Sequence, residues 1–222
     1  MKQAKTLISL SRAFLALGCL SVAAEPSYAL PAVNVGSSAA SGVVGSAWTV
    51  SFDISALGGG ANQSLSGFDI DINYDPALLS LIGFSFVNPT THDVQLDLVE
   101  AGKWPLFADV ADLGGGVLDA YAVSGNSASV LDAQQLDAFR FLSLNFVALA
   151  TGSALVSLDT NDPNLIFTDS DVNQMSVDFQ HTSARFEIRP SGGQVPEPAT
   201  WLLVGLGLAG ACLGRRLRTL PV

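Results

Sequence analysis

Apolar and polar residues alternate along most of this chain with a period of two. Trp48, Val50, Phe52 and Ile54 are interleaved with Thr49, Ser51, Asp53 and Ser55, and Phe68, Ile70, Ile72 and Tyr74 with Asp69, Asp71 and Asn73. Successive side chains of a strand point to opposite faces, so each run has one buried and one wetted face. The same reasoning predicts strands at 79–87, 94–99, 117–123, 139–148, 154–158 and 184–188, with a short one at 165–167. Turn formers separate them: Gly58-Gly59-Gly60, Asn88-Pro89, Gly114-Gly115-Gly116, Ser124-Gly125-Asn126 and Asp162-Pro163-Asn164. A 3.6-residue period appears only briefly, where 131–138 suits a short helix. Eight or nine short strands at this spacing predict an all-β fold, a sandwich or jelly roll.

The two ends follow another pattern. Lys2, Lys5 and Arg12 precede an apolar core at 13–24, and Ser27-Tyr28-Ala29 supplies the small residues a signal peptidase needs. The expected leader is 1–29, a signal helix cut after Ala29, with Ala24 as a second site. Ala16-Leu17-Gly18-Cys19 lacks the large aliphatic that opens a lipoprotein box. At the other end, Val195-Pro196-Glu197-Pro198 leads into an uncharged apolar run at 199–214, followed by Arg215, Arg216 and Arg218. The prolines keep the approach extended, and the arginines favour the cytoplasmic side. A full span takes roughly 20 apolar residues. The expected transmembrane helix, 199–214, is therefore short and glycine-rich, as suits a transient inner-membrane anchor. The predicted layout is a leader at 1–29, a sandwich at 30–190, a linker at 191–198, the helix and a basic cytoplasmic tail at 215–222.

Setting the ends aside changes the composition. The whole chain has a formal charge of −10, but most of its cations lie in the targeting segments. Lys103, Arg140, Arg185 and Arg189 remain in the body against eighteen acids, a charge of about −14. Nucleic acid and anionic lipid are poor partners for such a surface, because both need basic patches to displace counterions. Cys19 and Cys212 also fall in the ends, which leaves the body to be stabilised by packing without disulfides. About 165 residues are enough for a single domain with a substantial core.

Two resemblances follow from these residues. Pro196-Glu197-Pro198, the apolar 199–214 and the arginines at 215, 216 and 218 together resemble the PEP-CTERM sorting signal of Gram-negative bacteria. That resemblance implies processing by a membrane protease, exosortase, and delivery through the inner membrane to the cell surface or beyond. Ser66-Gly67-Phe68-Asp69-Ile70-Asp71-Ile72-Asn73-Tyr74-Asp75-Pro76-Ala77-Leu78-Leu79 is similar to an early strand of cohesin domains, and Leu142-Ser143-Leu144-Asn145-Phe146 with Ala150-Thr151-Gly152 to a later one. The cohesin resemblance implies a nine-stranded sandwich of jelly-roll topology, a fold shared with carbohydrate-binding modules, and a dockerin module on another protein as partner. No residue of a dockerin contact is carried across.

Candidates for chemistry are few. His92 and His181 stand alone, no serine lies in Gly-x-Ser-x-Gly, and no Walker, dinucleotide-binding or Cys/His pattern occurs. Glu100 and Glu187 are the body's two glutamates, and neither sits at an apolar strand end as a general acid would. The expectation is a protein that is not an enzyme. Aspartate makes up sixteen of the eighteen acids; it favours turns and is a good oxygen ligand for calcium. Asp159 and Asp162 form one oxygen-rich cluster, and Asp169, Asp171 and Asn173 another. The second lacks the glycine and final glutamate of an EF-hand, so the alternatives are solvated turns or a different calcium site. Among the aromatics, Trp48 alternates inward with the core, whereas Trp104 in Gly102-Lys103-Trp104-Pro105 occupies a loop and is the candidate for stacking on a sugar ring.

Two kinds of function fit. One is an exported adhesion or scaffold module that binds protein. The other is a carbohydrate-binding module that engages exopolysaccharide or another glycan.

Overall fold

The alternating apolar residues face one another across two sheets. A computed structural model describes residues 29–58 and 64–192, and among them are twelve strands and one short helix. In chain order the strands are β1 (Ala32–Ser37), β2 (Ser41–Val43), β3 (Ala47–Ser55), β4 (Leu65–Tyr74), β5 (Leu79–Ser85), β6 (Phe107–Gly114) and β7 (Val117–Val123). The helix α1 (Ala128–Gln134) precedes β8 (Phe139–Ala148), β9 (Gly152–Leu158), β10 (Ile166–Asp169), β11 (Asp178–His181) and β12 (Ser183–Arg189). One sheet runs β11-β1-β3-β8-β5; the other runs β2-β12-β9-β4-β7-β6, with β10 paired to β4. Residues 1–28 of the expected leader (1–29) and the expected helix at 199–214 lie outside the described residues, and no described helix is long and apolar enough to cross a membrane.

The core lies between the sheets. Trp48 on β3 stacks on Phe186 of β12 with centroids 4.4 Å apart, and Phe68 on β4 meets Phe141 of β8 edge-on at 4.7 Å. Each pair joins one sheet to the other, so burial of large apolar faces is what holds the layers together.

One irregularity explains the sequence of β8. Phe52 pairs with Leu142 but Asp53 pairs with Arg140, leaving Phe141 as the extra residue of a β-bulge. The bulge shifts the phase of the strand, so Phe139 and Phe141 before it and Leu142, Leu144 and Phe146 after it are all buried. The break in alternation at Phe141-Leu142 is therefore the bulge seen in the sequence.

Several expectations are revised. The chain at 94–99 is not a strand, although Leu96 and Leu98 are buried as an alternating pattern demands. Its backbone bonds to side-chain amides instead: Asn126 Oδ1 accepts from Leu98 N at 2.9 Å, and Asn126 Nδ2 donates to Leu98 O at 2.9 Å. The helix falls at Ala128–Gln134, earlier than the 131–138 that the pattern suggested. The count of nine strands is exceeded because β1, β2, β6 and β11 carry Gly, Ser, Asp and His that mask their period.

Candidate functional site

The outer face of the larger sheet gathers exposed aromatics and carboxylates. On β4, Asp69, Asp71 and Asn73 turn outward while Phe68, Ile70 and Ile72 are buried. On β7, Asp119, Tyr121 and Val123 turn outward against buried Leu118, Ala120 and Ala122. The antiparallel register sets Asp71 opposite Asp119 and Asp69 opposite Tyr121. On the far side of β7, Tyr121 faces Asp109 and Val123 faces Phe107 of the edge strand β6. Phe107 is 69% exposed, and its ring lies 5.7 Å from that of Tyr121.

Beyond the start of β6, Trp104 is 82% exposed. Lys103 beside it is turned back, bonding Asp97 at 2.5 Å and the Leu98 carbonyl. A side chain at Gly125 would collide with the Trp104 backbone, so glycine there lets the loop pack closely against the end of β7. The indole is left facing solvent. Trp48, by contrast, is 2% exposed and belongs to the core.

The carboxylates form a local concentration of like charge. Burial, then the charge of Asp119 and a hydrogen bond with it, raises the pKa of Asp69, with smaller contributions from Asp162 and Asp71. Asp71 is raised in the same way, by burial first and then by Asp162, Asp119 and Asp159. The fold thus brings Asp159 and Asp162 to the Asp69, Asp71 and Asp119 group. It does not bring Asp169, Asp171 and Asn173 there. Those residues form their own turn, in which Asp169 Oδ1 accepts from Asp171 N at 3.0 Å and Asn173 N at 2.8 Å.

In both predicted calcium clusters, carboxylate oxygens accept hydrogen bonds from nearby backbone. Asp159 Oδ1 accepts from Asn161 N and Asp162 Oδ1 from Asn164 N, each at 2.9 Å. Among the described residues, no group of three or more His, Cys, Asp or Glu side chains is arranged to hold a metal ion. His92 and His181 are both exposed. Pro196, Glu197, Pro198, Arg215, Arg216 and Arg218 lie outside the described residues. Sequence reasoning missed Asp69, Asp71, Asp119 and Tyr121 as a group. Period two places each on a wet face, but only the pairing of β4 with β7 makes them neighbours.

Comparison with known proteins bears on both ends of this description. The PEP-CTERM protein-sorting motif matches residues 194–218. No curated protein matches the sequence. Among solved structures, the seventh ScaB type I cohesin from Pseudobacteroides cellulosolvens is 14% identical, with a TM-score of 0.51 over 74% of this chain and 96% of that one. A type II cohesin domain from the cellulosome of Acetivibrio cellulolyticus is 17% identical, with a TM-score of 0.52 over 71% and 95%. A type I cohesin–dockerin complex from Clostridium thermocellum contains a chain 12% identical, with a TM-score of 0.50 over 72% and 100%. At these identities the likeness is one of fold: the described domain is a cohesin-like β-sandwich, and the chain that carries it bears a PEP-CTERM sorting motif.

Proposed function

We propose that this chain, a cohesin-like sandwich bearing a PEP-CTERM sorting motif, is an exported, non-enzymatic module that binds another protein at the cell surface or in the extracellular matrix. Signal peptidase removes the leader, the apolar segment at 199–214 holds the chain transiently at the inner membrane, and exosortase acts at the Pro196-Glu197-Pro198 motif. The observation that carries the binding role is the outer face of the larger sheet. There Phe107, Tyr121 and Val123 leave apolar area in water beside Asp69, Asp109 and Asp119. Exposed aromatics bordered by charge are the makings of a protein interface. The cohesin–dockerin complex from Clostridium thermocellum lends support, since its cohesin shares this fold and binds protein.

Site-specific photo-crosslinking in the producing cell tests this reading. A crosslinking amino acid at Tyr121 is expected to trap a partner protein, whereas one at Thr49, on the outer side of the smaller sheet, traps none. Equal labelling from both positions overturns it. A second reading, glycan binding, is favoured by the exposed Trp104 indole, which presents an apolar ring of the kind that stacks on sugars. Binding to a glycan array that disappears in Trp104→Ala would establish that role.

A further inference from the structure

A separate pocket opens at one end of the smaller sheet, next to the bulge between β3 and β8. Its volume is 320 Å³, near the lower limit of the ~300–1,000 Å³ range of small-molecule sites. It shares no lining residue with the Trp104 loop or the outer face of the larger sheet.

Its polar wall begins with a cross-strand pair. Arg140 stands opposite Asp53, and its Nε donates to Asp53 Oδ1 at 3.0 Å. The pair uses one guanidinium nitrogen and one carboxylate oxygen. Among the described residues, the two Nη groups have no acceptor and Asp53 Oδ2 has no donor. Both side chains are partly exposed, at 30% and 39%.

Asn88 adds a third group. It is 3% exposed, and the loop around it is fixed by its own bonds: Asn88 N donates to Asp93 O at 2.7 Å, His92 N donates to Asn88 O at 2.9 Å, and Thr90 N donates to Asn88 Oδ1 at 3.0 Å. Its Nδ2 has no acceptor among the described residues and is not fully enclosed. A nearly buried amide normally finds a partner. Asn88 is among the residues that line the pocket. Pro89 and Phe139 add apolar surface to the lining.

The chemistry of this wall is selective. Arg140 and Asp53 cancel in charge, so a charged ligand gains little from it. The free atoms are donors on Arg140 and Asn88 and an acceptor on Asp53, set beside an apolar patch. A ring with hydroxyls that both donate and accept, and with a C–H face for the apolar patch, satisfies all of them together.

We propose that this pocket binds a single unit of a neutral sugar. The assignment goes beyond the protein-docking role and does not depend on Trp104. Saturation-transfer NMR on the full chain in a sugar-free detergent tests it. The probes are the methyl glycosides of glucose, galactose, mannose and N-acetylglucosamine. Transfer to at least one probe is expected, with affinity reduced at least about tenfold in Arg140→Gln, since hydrogen bonds from a charged group are lost. Trp104→Ala is expected to leave it unchanged. Thermal melting of both variants shows that they fold, and Arg140→Lys serves as a second variant that keeps the charge if Arg140→Gln does not. The absence of transfer to every probe overturns the proposal. So does transfer that survives Arg140→Gln, or that is lost in Trp104→Ala.

Discussion

The side-chain amide of Gln135 pairs with the backbone of Leu65 in both directions: Leu65 N donates to its Oε1 at 2.7 Å, and its Nε2 donates to Leu65 O at 2.9 Å. The same Nε2 donates to Gln95 O at 3.0 Å, and Gln95 Oε1 in turn accepts from Leu136 N at 2.8 Å. Gln135 thus does for the first residue of β4 what a neighbouring strand would do. Gln135→Ala leaves Leu65 N–H and C=O buried without these partners. The expected loss is at least about 2 kcal/mol of unfolding free energy, read by urea denaturation.

Asp71 and Asp119 are directly opposite like charges, an arrangement that costs stability. Asp71→Asn is expected to raise the unfolding free energy by roughly 0.2–1 kcal/mol at neutral pH. The pH dependence has a definite sign. Asp69 and Asp71 have folded pKa values above the ordinary carboxylate value, so the folded state holds their protons more tightly than the unfolded chain. Their contribution to stability falls as pH rises from the ordinary value through the raised ones, and returns on acidification. Glu100 acts oppositely, because hydrogen bonds from Ser127 and Asn126 lower its pKa and its contribution is lost as pH falls. Comparing wild type with Asp69→Asn/Asp71→Asn cancels the Glu100 effect. From pH 7 to pH 4, wild type is expected to gain stability relative to the double variant; a constant difference counts against this account.

Val172 has φ of 65°, a left-handed conformation that a β-branched residue adopts only at a cost. The surrounding turn holds it there, with Val172 N donating to Asp169 O at 2.9 Å and Asp169 N donating to Asn173 O at 2.9 Å. Val172 is exposed, so replacing it removes little packing. Val172→Asn is expected to stabilise by about 1 kcal/mol, visible as a rise of roughly 2–4 °C in the melting midpoint.

Replacing Pro196, Glu197 and Pro198 with alanine removes the motif that the sorting match covers. The expected outcome is a chain of higher mass retained in the membrane fraction, measured by intact-mass spectrometry after fractionation. Unaltered mass and location would count against exosortase processing.

The elements with clean alternation were legible from sequence: β7 at Val117–Val123 and β8 at Phe139–Ala148 stand where the pattern puts them. The segment at 94–99 shows the limit. Burial of Leu96 and Leu98 imposes the alternation of a strand, but pairing is decided by what lies alongside, here the amides of Asn126 and Gln135. Local pattern also shows that Asp69, Asp71 and Asp119 are on wet faces. It carries no information on register, which alone sets Asp71 against Asp119 and Asp53 against Arg140. The surface chemistry of this domain is created by contacts between residues tens of positions apart.

The strand registers also place the two connections of the domain at opposite ends. Ala32 pairs with Asp178 and Ser55, and the same end holds Phe139 and Arg140. β11 and β12 then carry the chain away, so that Arg189 leaves beside Val43. At ~3.3 Å per residue, 178–189 spans on the order of 35 Å. A sandwich held through the chain that follows Arg189 would therefore stand upright on its tether. The Arg140 pocket, Phe107 and the Trp104 loop would then be at the top, farthest from the point of attachment.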